Sequence, residues 1–227
     1  MDGFELFLKC LKDINDPQSV NEANEKLNAL MLENTALYLT YASQVILNFC
    51  EEKENKDTIE TGNDVVVSLG AIRNVCTPNR TTSINEIRKC WLSDDPISNQ
   101  MRPLVLRAIL ICINNPSIPI RQMSCAALAS VLLIDKENSN EVIQTVLTST
   151  STTDPLNFGS VMMFLEVFNL NVIPSEIKFQ EIDKDAYIKL LDIIFNILTN
   201  FDQEIVNQPI KINASICLKK LIEKGSY

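Results

Sequence analysis

Apolar residues recur along most of the chain at the three- and four-residue spacing of a helix that buries one face. Phe4, Phe7, Leu8 and Leu11 make one stripe, Ala23, Leu27 and Leu30 a second, and Ile188, Leu191, Phe195 and Leu198 a third. Each stripe is expected to face a core. Asp16-Pro17, Ile118-Pro119, Asp154-Pro155 and Gln208-Pro209 stand immediately before such patterns. A missing proline N–H costs nothing in a first helical turn, and a preceding Asp can cap its open amides, so four helices are predicted to start this way. Pro103 falls inside a further helical pattern, where it either kinks the helix or marks its start. With only 5 Gly in 227 residues, an all-β chain of tight hairpins is a poor fit, and the predicted fold class is all-α.

Comparing the segments after the prolines exposes an internal repeat. Ile120, Arg121, Ser124, Leu128, Val131 and Leu132 match Ile210, Lys211, Ala214, Leu218, Leu221 and Ile222, all 90 residues apart. Ala23, Leu27 and Leu30 follow the same small, large, large pattern; Leu165 occupies the equivalent place after Pro155, and Asp64 to Asn74 is a weaker copy. Each copy follows another amphipathic segment: Phe4 to Lys12, Thr35 to Cys50, Ile97 to Ile113, Glu141 to Leu147 and Asp185 to Thr199. The mean spacing of about 48 residues is close to the ~40 to 47 of two-helix repeats once a long insertion is allowed. A helix pair of this kind cannot bury its apolar faces alone. The expected architecture is therefore an α-solenoid of about five HEAT-type repeats, a superhelical stack of antiparallel helix pairs spanning roughly 1–33, 35–92, 97–135, 139–172 and 183–227.

Charge and composition narrow the chemistry. Lys plus Arg total 20 against 29 Asp plus Glu, a net charge of −9, the wrong sign for tracking a phosphate backbone, so nucleic acid is not expected as a partner. The same field favours basic polypeptides. The absence of His removes the commonest general base and every His-containing metal site, and no Gly-rich phosphate loop or nucleophile with its base replaces them. Neither an enzyme nor a cofactor is expected. The carboxylate pairs Asp94 with Asp95 and Glu51 with Glu52 read as solvated loop charge. Seven Cys without C-x-x-C spacing, most inside apolar stretches, read as reduced core residues. No run approaches ~18 apolar residues and no basic leader precedes an apolar run, so an intracellular protein without a membrane partner is expected.

The order of segments resembles the N-terminal part of the importin-beta-like receptors of the karyopherin beta family. The likeness spans essentially the whole chain. It rests on the amphipathic first helix FELFLKCLKDI, on DPQSVNEANEKL, and on Ile72-Arg73-Asn74 closing the second repeat. It continues with the short helix ending Lys89, Cys90, Trp91, Leu92, with the Ala-rich SCAALASVLLID, and with IKINASICLKKLIE in the fifth repeat. The chain departs from it in having Val67 and Ser68 where that family carries small Ala pairs. The resemblance implies a nuclear transport receptor that binds Ran-GTP through its first repeats, touches the phenylalanine-glycine (FG) repeats of nucleoporins, and carries importin alpha or basic cargo mostly on later repeats. It also implies residence in cytoplasm, nucleus and nuclear pore, and an N-terminal fragment of a longer receptor. A HEAT or armadillo interaction scaffold with no transport role fits the repeat pattern equally well.

Two candidate surfaces follow. With Ala23, Leu27 and Leu30 buried, Asn24 and Asn28 turn away from the core, Asp64, Arg73 and Asn74 offer the matching side of the second repeat, and Gln122 continues the row in the third. The resemblance assigns this row to Ran. If Ile188, Leu191, Phe195 and Leu198 face the core, Leu190, Ile194 and Ile197 are left outward, and the resemblance places an FG site on Leu190, Leu191 and Ile194. The last apolar segment, from Ile210 to Ile222, is too wide for one neighbour to cover, so the fifth repeat is expected to be the least protected or to be covered by a neighbouring molecule.

Overall fold

The structure is a computed structural model and describes residues 2–52, 61–77, 89–135, 142, 146, 184–199, 211, 214, 215, 218 and 219. The described residues are overwhelmingly helical and contain no strand, so the fold is all-α. The chain divides into two compact units, Met1–Cys112 and Ile113–Tyr227, with the division inside the stretch read as the third repeat.

In the first unit, α1 (Gly3–Asp13) opens with a reciprocal capping box. Asp2 accepts from the Glu5 amide at 2.8 Å while Glu5 accepts from the Asp2 amide at 3.2 Å. Its buried stripe is Phe7, Cys10 and Leu11, and this centring turns Leu8 outward, contrary to the expected stripe. Phe4 and Phe7 reach α3 (Thr35–Glu52) through ring contacts with Tyr41 and Tyr38, at centroid separations of 5.7 and 5.4 Å.

The helix after Asp16-Pro17 does not start at the proline. Asp16 accepts from the Gln18 amide at 3.0 Å, and Ser19 Oγ donates to the Asp13 carbonyl at 2.9 Å, closing a turn that delays α2 to Val20–Glu33. The carboxylate that was to cap the helix is occupied in the turn. Asn34 then breaks the chain in an extended conformation, and its side chain accepts from the Leu37 amide to start α3 at once.

α3 and α4 (Thr61–Cys76) are two packed helices joined by a short connection and therefore antiparallel. α5 (Pro96–Cys112) starts on an Asp-Pro step that was missed in the sequence. Asp95 accepts from the Ile97 and Ser98 amides, both at 2.9 Å, and from the hydroxyls of Ser93 and Ser98. These bonds hold its carboxyl well below the usual carboxylate range, the Ser93 hydroxyl contributing most. Asp95 is thus a helix cap and not merely solvated charge. The helix runs through Pro103, which lies on the exposed side where water can take the Asn99 carbonyl released by the missing N–H. Arg102 donates to the carbonyls of Trp91 and Ser93, tying the buried Trp91 to this helix.

α3 is the hub of the unit and packs against α2, α4 and α5, while α1 packs on α2 and also meets α4. The Sγ atoms of Cys50, near the end of α3, and Cys112, the last residue of α5, are 3.9 Å apart. The C-terminal ends of these packed helices coincide, so α3 and α5 run in the same direction.

In the second unit, α6 (Ile118–Ile134) takes Pro119 into its first turn, as expected. Arg121 folds back to donate to the carbonyls of Asn115 and Pro116 at 2.7 and 2.9 Å. Ile120, Ser124, Leu128, Val131 and Leu132, the repeat-defining positions, are all buried, and Ala127 and Ala129 extend that burial round most of the helix. Ala214, the counterpart of Ser124, is also buried. Val142 and Val146, within the amphipathic segment from Glu141 to Leu147, are helical and buried. α7 (Lys184–Thr199) follows, and Lys211, Ala214, Ser215, Leu218 and Lys219 beyond it are also helical. The helical starts expected at Asp154-Pro155 and Gln208-Pro209, and the segment around Leu165, lie outside the described residues.

Candidate protein-binding surfaces

The row read from the first two repeats separates into parts. Asn24 and Asn28, one turn apart on α2, are both exposed, as are Arg73 and Asn74 on α4. Asp64 and Arg73 are nine residues apart, two and a half turns, which puts them on opposite flanks of the α4 core stripe. Asp64 is half-buried against the end of α1. Burial pushes its carboxyl above the ordinary value, and the nearby Lys12 pulls the other way. Beside it, Asn63 donates to Asn15 in the turn after α1. Asp64 therefore belongs to the seam between α1 and α4. Gln122 is exposed on α6, in the second unit.

Matching the two repeats at Ala23 with Val65 and Leu27 with Leu69 pairs Asn24 with Val66 and Asn28 with Gly70. The polar row of α2 therefore has no polar counterpart at the same positions of α4. What the structure does present on α4 is the adjacent exposed pair Arg73 and Asn74.

On α7 the expected core stripe is overturned. Ile188 and Phe195 are 44% and 50% exposed, whereas Ile194 is 0% exposed, and Leu191 and Leu198 are half-buried. A helix apolar almost all round leaves its orientation open, and here Ile194 defines the buried side while Ile188, Asp192, Phe195 and Thr199 follow the outer face at helical spacing. The side chains of Leu190 and Ile197 lie outside the described residues. Among the described side chains, the accessible apolar edge of α7 is therefore Ile188 and Phe195, flanked by the Asp192 carboxylate.

The thiols follow the expected pattern at Cys10, Cys76, Cys112 and Cys125, all buried, while Cys50 and Cys90 are half-buried; Cys217 lies outside the described residues. Burial pushes the Cys125 thiol up to about 12 and raises Cys76 as well, which holds both as neutral thiols at physiological pH. Tyr38, buried between α1 and α3, is likewise pushed up to about 12. Among the described residues, no cluster of three or more His, Cys, Asp or Glu could hold a metal ion, and no helix is long and apolar enough to cross a membrane.

Sequence reasoning missed the Asp95 cap, although Asp95-Pro96 has the same form as the Asp-Pro steps it used. It also missed the contact of Cys50 with Cys112. Aligning Ile46-Leu47-Asn48-Phe49-Cys50 with Ala108-Ile109-Leu110-Ile111-Cys112, the ends of two successive first helices, would have brought them together. Comparison of the chain with protein-family models, with curated proteins and with solved structures returns no match.

Proposed function

We propose that the chain is a HEAT-type solenoid acting as a nuclear transport receptor. In this reading it carries protein cargo through the nuclear pore between cytoplasm and nucleus, binds Ran-GTP through its first repeats, and has no catalytic role. The observation that supports it best is the arrangement of α3, α4 and α5. Two first helices of successive pairs run in the same direction, and the second helix of the intervening pair packs back on its own partner. That is the step by which helix pairs stack into an extended binding surface. In the first unit Asn24, Asn28, Arg73 and Asn74 are exposed and available for Ran, and Asp64 lies at the α1 seam; Gln122 is exposed in the second unit. The FG contact assigned to Leu190, Leu191 and Ile194 is centred instead on Ile188 and Phe195, with Leu191 beneath them, because Ile194 is inaccessible.

The docking of Asp64 on α1 and the apolar α4 counterparts of Asn24 and Asn28 favour a second reading, an interaction scaffold with no Ran site. One titration separates the two. The transport reading expects binding to Ran-GTP and not to Ran-GDP, weakened at least roughly tenfold when Arg73 and Asn74 are both replaced by Ala, the loss expected for an interface pair worth ~1.4 kcal/mol or more. It also expects Phe195→Asp to abolish binding to an FG-repeat peptide. Equal affinity for the two nucleotide states, or none for either, would leave the scaffold.

A further inference from the structure

We propose that Cys50 and Cys112 form a reversible disulfide under oxidation, a redox-responsive lock between the second and third helix pairs. The two sulfurs are 3.9 Å apart, in contact as thiols and roughly 2 Å beyond the bonded separation, on helices that are already packed, so rotation of the two side chains is the movement the bond requires. Their environments differ in a useful way. Cys50 is half-buried on α3 and open to a small oxidant, whereas Cys112 is 0% exposed and is reached through its neighbour. The first group is placed to be oxidised and the second to resolve it.

With hydrogen peroxide as the oxidant, the Cys50 sulfur attacks one peroxide oxygen, the O–O bond breaks, and water leaves, giving a sulfenic acid. The Cys112 sulfur then attacks the Cys50 sulfur, the S–O bond breaks, and a second water leaves with the Cys112 proton. Two thiols give up two electrons and one peroxide becomes two waters. The product links residues 62 apart in sequence and fixes the C-terminal end of α3 to that of α5. A constraint across so long a segment restricts the unfolded chain strongly. Rigid stacking of successive pairs sets the curvature of any surface they build, so the bond acts on the binding face without touching it.

Cys76 and Cys90 are the competing pair, since they interact electrostatically and likewise combine a buried with a half-buried thiol, but they have no sulfur contact to match that of Cys50 and Cys112. The full chain is treated with hydrogen peroxide, blocked with N-ethylmaleimide, and digested without reduction for mass spectrometry. The proposal expects a Cys50–Cys112 cross-linked peptide that dithiothreitol removes, and a melting midpoint higher by roughly 5–10 °C in the oxidised chain. Cys50→Ser and, independently, Cys50→Ala abolish the cross-link while keeping the helical circular dichroism spectrum. Conversion of Cys50 to sulfinic or sulfonic acid without the cross-link, a Cys50 that stays unmodified, or a disulfide joining other cysteines in its place would overturn it.

Discussion

α2 and α4 can be placed in register at Ala23 with Val65 and Leu27 with Leu69, yet they bury very different amounts of themselves. In α2 the fully buried positions are Ala23 and Leu27. In α4 the buried set is Val65, Ser68, Leu69, Ile72, Val75 and Cys76. Placed in register, the buried Ser68 corresponds to Lys26, which is partly exposed and paired with Glu22 at 2.5 Å, and the buried Val75 and Cys76 correspond to Glu33 and Asn34. The difference shows how one helical pattern serves two environments. A narrow apolar stripe with charge at its margin suits a helix with solvent on its far side, whereas a helix enclosed by neighbours widens the stripe until even a serine is taken out of water.

Truncating the matched leucines should distinguish the two helices most. Leu69, 0% exposed, should cost about 3–5 kcal/mol as Leu69→Ala, and Leu27, 6% exposed in a narrower stripe, about 2–3 kcal/mol as Leu27→Ala, by urea unfolding of each variant. Equal losses would mean that the two helices are enclosed alike. Next in size is Ser68→Ala. The Ser68 hydroxyl is buried with no hydrogen-bond partner, so removing it should stabilise the fold by about 1 kcal/mol, through relief of desolvation and better helix propensity. A loss of stability on that change would reveal a partner for the hydroxyl.

How far the molecule was legible in its sequence follows the same division. The helices themselves were: α3, α4, α5, α6 and α7 lie within a few residues of their apolar patterns, because a wide or strongly periodic stripe leaves little freedom. Where two local signals competed, the reading failed. Asp16 spent its carboxylate on a turn, which moved the start of α2, and Asp95, set aside as solvated charge, became a cap. The candidate surfaces were half-legible. Arg73 and Asn74 are exposed as expected, but Asp64 was drawn into the α1 seam by a tertiary contact that spacing does not encode. On α7, apolar residues on nearly every side gave no periodic cue, so Ile194 and Phe195 exchanged roles.

The smallest effect concerns that seam. A carboxyl held above its ordinary 3.8 by burial is protonated more readily in the fold than in the unfolded chain, so ionisation favours unfolding. Asp64 should therefore make stability fall as pH rises from below 3.8 through its higher folded value, and then level off. Asp64→Asn removes that slope. In acid-range unfolding curves the variant should gain on the parent above this window, and an unchanged slope would place Asp64 in solvent.

Amide hydrogen exchange on the intact chain reads out whether α4 is enclosed while α2 keeps a solvent face. Peptides from Thr61–Cys76 should exchange roughly a hundredfold more slowly than those from Val20–Glu33, with α3 as slow as α4. Equal rates for the two helices, or slower exchange in α2, would contradict that difference in enclosure.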